Sequence, residues 1–203
     1  MRRPAFCSNI VEDMKCIITS FAFFVIPAIS FAQGAFSNNI SQGLEKIIQD
    51  YPNGFKNIRG EAISENPQTT EYKSTIQIPG TSSCIVTRYS ATKNDIYSWG
   101  CTLLTTEDFN AAKNKFREIY AQIKNSIVKI QGEKPFILNG QYDAPDQGKK
   151  FTTIIFELLP AVGELKKIKI DLSVQYEIAV WKVSLSVYDR DRNDDEPGAL
   201  NGN

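Results

Sequence analysis

The stretch IKIDLSVQYEIAVWKVSLSV, residues 168–187, decides the fold. In its first half Ile168, Ile170, Leu172, Val174 and Tyr176 alternate with Lys169, Asp171, Ser173 and Gln175. That is the period of a strand with one dry face and one wet face. In its second half Trp181, Val183, Leu185 and Val187 alternate with Lys182, Ser184 and Ser186, in the opposite phase. A period of two cannot change phase within one regular strand, so a turn or bulge lies around Glu177–Val180. No Gly, Pro or Asn marks that turn. Strands joined so tightly are antiparallel.

Upstream, Phe151 to Leu159 is apolar on both faces and reads as a central strand. Residues 160–163 make the turn between it and the next strand. Before it lies a polar loop, NGQYDAPDQGKK (139–150), and two short apolar pieces, Val128-Lys129-Ile130 and Phe136-Ile137-Leu138. Further back, Phe109, Ala112, Phe116, Ile119, Tyr120, Ile123 and Ile127 recur at spacings of three and four, the stripe of a long amphipathic helix. Thr105-Thr106-Glu107-Asp108 supplies its start. A Thr hydroxyl offers an acceptor to the first turn, and the acids suit the positive end of the helix dipole.

The first half repeats this order. Ile40, Leu44, Ile47, Ile48 and Tyr51 form an apolar stripe, stopped by Pro52-Asn53-Gly54. Gly43 weakens this helix, so it depends on tertiary packing. Strands follow at Ile58–Ile63, Tyr72–Ile78, Cys84–Ser90 and Ile96–Leu104, with turns at Ser64–Pro67 and Pro79-Gly80. The last two strands form a hairpin. Centring its turn between Thr92 and Lys93 sets Cys84 opposite Cys101. The favoured turn residues Asn94-Asp95 set them several positions apart, so a bulge or an unusual turn is expected.

The fold class is α+β: an antiparallel sheet of about six to eight strands with two helices on one face, in the order α-β(4)-α-β(3-4). The two halves share a helix-then-strands order without a residue-level repeat.

The ends define the compartment. Residues 16–29, CIITSFAFFVIPAI, carry no charge and precede Ser30-Phe31-Ala32. Small residues at 30 and 32 fit the −3 and −1 pockets of a signal peptidase, so residues 1–32 read as a signal peptide cut after Ala32. The run is short of the ~20 apolar residues of a membrane span. Glu12 and Asp13 are foreign to a positive leading region, which points to Met14 as the initiator. Residues 33–189 then form one domain and residues 190–203 a flexible acidic tail. The protein is expected to be secreted or periplasmic, with Cys84 and Cys101 joined in a disulfide.

Composition excludes much chemistry. The chain has no histidine, which removes Ser-His-Asp and Cys-His arrangements and every His-containing metal site. Lys plus Arg equals Asp plus Glu at 23 each, and no basic stripe exists for nucleic acid. No cofactor motif is present; Pro79-Gly80-Thr81-Ser82-Ser83 is a turn and not a phosphate loop. Asp189, Asp191 and Asn193 match the first ligands of a calcium loop. The match then fails, with Asp194 where Gly is needed and Leu200 where the closing Glu belongs. No metal site is expected.

Two readings of function remain. Carboxylates alone can hydrolyse glycosides, and Asp143, Asp146 and Glu157 are the candidates. Glu157 lies within an apolar strand, where burial would raise its pKa. The alternative is a binding module without catalytic residues, its partner a protein, peptide or glycan. Tyr89, Tyr97, Trp99 and Trp181 lie on strands. If they share an exposed face they can stack a sugar or grip a partner; otherwise they fill the core. Binding is the expectation, with a carboxylate hydrolase or a structural envelope subunit as alternatives.

Overall fold

A computed structural model describes residues 39–81, 83–91, 94–130 and 132–189. The proposed signal peptide, Met14, the residues that follow to 38, and the acidic tail from 190 lie outside the described residues. So do Asp191, Asn193 and the rest of the calcium-like run.

Helix α1, Asn39–Asp50, buries Ile40, Leu44, Ile47 and Ile48 along one stripe. A 3₁₀ turn, Tyr51–Asn53, carries Pro52 and ends at Gly54 in the left-handed region, φ 61°. Four strands follow: β1 Arg59–Glu65, β2 Thr69–Ser74, β3 Ser83–Tyr89 and β4 Ile96–Thr106. Helix α2, Phe109–Lys124, leads to five more: β5 Ile127–Val128, β6 Phe136–Asn139, β7 Phe151–Leu159, β8 Ile168–Glu177 and β9 Val180–Asp189. A second 3₁₀ turn, Gly163–Lys167, introduces β8.

All nine strands join one sheet in the order β1-β2-β3-β4-β9-β8-β7-β6-β5, and the paired neighbours are antiparallel. Each half of the chain starts with a helix and then meanders inward from one edge. The halves meet where β4 pairs with β9. Helix α2 packs across β8, β9 and β4, and α1 packs on α2 and the β5 edge. Buried residues of both helices and of one sheet face form a single core, among them Phe116, Ile119, Trp99, Leu172, Leu185 and Val187.

The strand count exceeds the expected six to eight because β5 is only two residues long. It is held by pairing with β6 and by α1, where Gln49 Nε2 donates to the Lys129 carbonyl at 2.9 Å. Strand β2 begins before Tyr72 and ends before Ile78. Asn66 Oδ1 accepts from the amides of Gln68 and Thr69 and aligns Thr69 with Tyr89. Ser74 Oγ donates to the Ile76 carbonyl and accepts from the Ile76 amide, which bends the chain out of the sheet. The cap of α2 is Asp108 and not a threonine. Strand β4 runs on through Thr106, paired with Trp181, so Asp108 is left to accept from Asn110 N at 2.8 Å.

Strand β7 is not central and is not covered on both faces. Thr152, Ile154, Phe156 and Leu158 are buried, while Phe151, Ile155 and Leu159 are exposed. The phase change between β8 and β9 is a two-residue turn at Ile178 and Ala179, with φ 44° and 68°. Positive φ at both positions matches the twist of a tight hairpin but opposes a β-branched side chain. Ile178 is 98% exposed, so no packing offsets that strain. Replacing Ile178-Ala179 by Asn-Gly is expected to stabilise the domain by about 1–2 kcal/mol. Urea unfolding checks it; an unchanged or lower midpoint would show that the turn is not strained.

Candidate functional site

Four separate segments converge on one open groove of about 1180 Å³. The turn after α1 supplies Tyr51, Asn53 and Gly54. The β3–β4 connection supplies Asn94 and Asp95, and the start of β4 supplies Tyr97. The turn before β8 supplies Glu164 and Lys167, and β9 ends in the groove at Asp189.

The first wall is built by Asp50, the buried last residue of α1. Its Oδ2 accepts from Asn57 N at 2.8 Å and Ile58 N at 3.2 Å. Its Oδ1 accepts from Asn57 Nδ2 at 2.5 Å and Asn53 Nδ2 at 3.2 Å. These bonds curl residues 53–58 back under the helix and place Phe55 in the core at φ 57°. Gly54 then lies against Tyr97; a Cβ there would sit 3.1 Å from ring atom Cδ2. Tyr97 is fixed further by Arg59, whose guanidinium carbon lies 4.9 Å from its ring centroid and 5.1 Å from that of Tyr72. Such cation–π contacts contribute about 0.5–1 kcal/mol each at exposed sites.

Hydrogen bonds and ion pairs tie the walls together. Tyr51 Oη donates to Asp189 Oδ2 at 2.5 Å, linking the α1 turn to the end of β9. Arg88 Nη1 lies 3.8 Å from Asp95 Oδ2, and Arg88 Nη2 donates to Thr70 Oγ1 at 2.9 Å. Glu164 and Lys167 lie 4.0 Å apart on the third wall. The groove thus offers carboxylates as acceptors, lysines as donors, and Asn and Tyr side chains that do both. This mixture suits a polar ligand with several hydroxyl or amide groups. Among the described residues no cluster of three metal-ligating side chains occurs.

The four aromatic candidates do not converge on one exposed face. Trp99 is fully buried and its Nε1 donates to Ser74 Oγ at 3.0 Å. Trp181 is buried between Phe109 and Tyr176, with ring centroids at 4.8 and 5.0 Å. Tyr97 lines the groove, and Tyr89, half-buried, points to the opposite sheet face. The tryptophans fill the core because they occupy inward positions of central strands.

The acid candidates are also separate, and none lines the groove. Glu157 is exposed, contrary to the expected burial. It stands on the uncovered face of β7 and is ion-paired with Lys169. Asp143 pairs with Lys149 at 3.7 Å, and Asp146 accepts from Gly148 N at 2.7 Å to close a turn. Ser126 and Lys129 have the spacing of a Ser-Lys nucleophile, but the Ser126 hydroxyl is part-buried and donates to the Gln122 carbonyl. The groove acids Asp95, Glu164 and Asp189 lie far apart in the chain. In the sequence Asp95 was marked only as a turn residue and Asp189 only as the start of the failed calcium-like run, and neither reading pointed to a shared groove.

Cys84 and Cys101 are directly opposite in the β3–β4 register and form a disulfide, with Cα atoms 4.2 Å apart. No bulge interrupts the ladder: pairing runs unbroken from Ser83–Thr102 to Tyr89–Ile96, the register that a turn centred between residues 92 and 93 requires. Those two residues lie outside the described residues. Among the described residues no helix is long and apolar enough to cross a membrane. No protein-family model matches the chain, and no curated protein or solved structure matches it either.

Proposed function

We propose that this is an exported, non-enzymatic binding domain, secreted or periplasmic, that captures a peptide or glycan in the groove between Tyr51, Tyr97 and Asp189. The observation that supports it is the groove itself: four chain segments held by Asp50, Tyr51 and Arg59, with a lining of dispersed polar groups. The disulfide supports an oxidising compartment. The alternative, a carboxylate hydrolase, draws on Asp95, Glu164 and Asp189 lining the same groove.

Ligand-observed NMR against neutral trisaccharides and tripeptides tests this. One class is expected to show saturation transfer. Asp189→Asn keeps an acceptor for Tyr51 and removes the charge, and it is expected to weaken binding at least tenfold, about 1.4 kcal/mol, without lowering the melting temperature. Binding that ignores the substitution, or no binding by either class, would overturn the groove as the site. Turnover of a probe that Asp189→Asn abolishes would favour the hydrolase.

A further inference from the structure

Strand β7 is longer than the strand that covers its outer edge. Strand β6 pairs with it only at Glu157, Leu158 and Leu159. Residues Phe151 to Phe156 pair with β8 on the inner side alone. The chain leaves the sheet at Gly140, where a Cβ would sit 2.7 Å from Cδ1 of the buried Phe156. Tyr120 of α2 donates to the Gly140 carbonyl at 3.2 Å, and Tyr142 packs on Tyr120 and Phe116. The loop after β6 therefore enters the helix layer and makes no backbone hydrogen bond to Thr152–Phe156.

Which groups lie on that edge follows from the register. The Tyr176 amide donates to the Lys150 carbonyl, so even-numbered residues of β7 turn their backbone groups to β8. Odd-numbered residues turn theirs outward. The Phe151 amide is taken by the Lys149 carbonyl. The Phe151 carbonyl and both backbone groups of Thr153 and Ile155 have no backbone partner among the described residues. This edge also lacks the usual defences against pairing. Phe151–Phe156 holds no charge and no proline, and its register with β8 has no shift.

We propose that a free, extended peptide segment adds to this edge as a further strand, at a site separate from the groove. The occupant follows from the chemistry and length of the slot. Donors and acceptors at the period of a strand are matched in full only by another extended backbone. The slot is closed at one end by Asn139 of β6 and at the other by the Asp146–Lys149 turn. It takes about five or six residues. The strand edges of a second copy do not fit it. Its β7 is nine residues long and already carries β6 on the same edge. Its β1 is broken by two register shifts. Phe151, Thr153 and Ile155 flank the slot on the open face, so uncharged β-branched residues at alternate positions suit the segment. None of these residues lines the groove, so the groove reading stands or falls separately.

Amide hydrogen exchange, read by NMR with and without the capped peptide Lys-Thr-Val-Thr-Val-Thr at millimolar concentration, tests the proposal. Main-chain bonds carry the affinity, so this one β-forming sequence serves as the probe. In the free protein the Thr153 and Ile155 amides are expected to exchange at least tenfold faster than those of Thr152 and Ile154. The peptide is expected to slow both at least tenfold. Ile155→Pro removes an outward donor without touching the β8 ladder, so circular dichroism is expected to show a folded domain. It is expected to bind the peptide at least tenfold more weakly. The exchange measurement needs no variant, so it decides the matter even where proline unfolds the strand. Thr153 and Ile155 amides already protected in the free protein, no slowing by the peptide, or undiminished binding by Ile155→Pro would each overturn the proposal. So would protection that rises with protein concentration alone, which would assign the edge to a second copy.

Discussion

Asp50→Ala is expected to destabilise the domain by about 3–5 kcal/mol, more than any other single substitution in the groove wall. The carboxylate sits at the C-terminus of α1, where the helix dipole opposes an anion by about 0.3–1 kcal/mol. It is only 5% exposed. An acid is tolerated there because four donors converge on it, from Asn53, from the side chain and amide of Asn57, and from the Ile58 amide. Alanine removes the acceptor and leaves donors of a buried turn without partners. Each hydrogen bond to a charged group contributes about 1.5–3 kcal/mol, and the dipole term returns only a fraction. Asp50→Asn keeps one acceptor oxygen but turns an amide group toward donors, so an intermediate loss is expected. Urea unfolding monitored by tryptophan fluorescence measures both. If Asp50→Ala unfolds within 1 kcal/mol of the parent, the turn is held by Phe55 burial and Pro52 and not by the carboxylate.

The same residue shows what the sequence could not reveal. Periodicity made the helices and the β8–β9 hairpin legible, because each depends on residues near one another in the chain, whereas the Cys84–Cys101 pairing came from cysteine count and the favoured turn residues argued for a different register. Asp50 was invisible because two of its donors are backbone amides seven and eight residues on, which carry no sequence signature, and the other two are Asn side chains that do not reveal their acceptor. The groove was hidden for a related reason. Its walls come from residues near 51, 95, 165 and 189, and only the meeting of β4 and β9 at the sheet centre brings them together. Glu157 misled in the opposite direction. An acid amid Ile, Phe and Leu looks buried, but β7 alternates so that every second residue faces the uncovered side. The apolar neighbours that made Glu157 look buried, Ile155 and Leu159, are themselves exposed. Apolar residues on that strand therefore do not mark a two-sided core.

Removing the disulfide as Cys84→Ala/Cys101→Ala is expected to cost about 3 kcal/mol, lowering the melting temperature by about 6–12 °C. The bond closes a loop of sequence separation 17 and restricts the unfolded chain. It also lies in the core: Cys101 pairs across to Leu185, and Leu185 to Leu172. The two contributions separate experimentally. Reduced parent protein loses the cross-link but keeps both sulfur volumes, whereas the double alanine variant loses both. The reduced parent should therefore be destabilised less than the variant, by about 1 kcal/mol of packing. Equal stability of oxidised and reduced parent would mean that the paired strands already hold the hairpin, and the disulfide would lose its weight as support for an oxidising compartment. The expected loss would instead tie stability to that compartment. Strand β4 lies between β3 and β9, so loosening the hairpin would loosen the junction of the two halves and the groove wall formed by Asp95 and Tyr97.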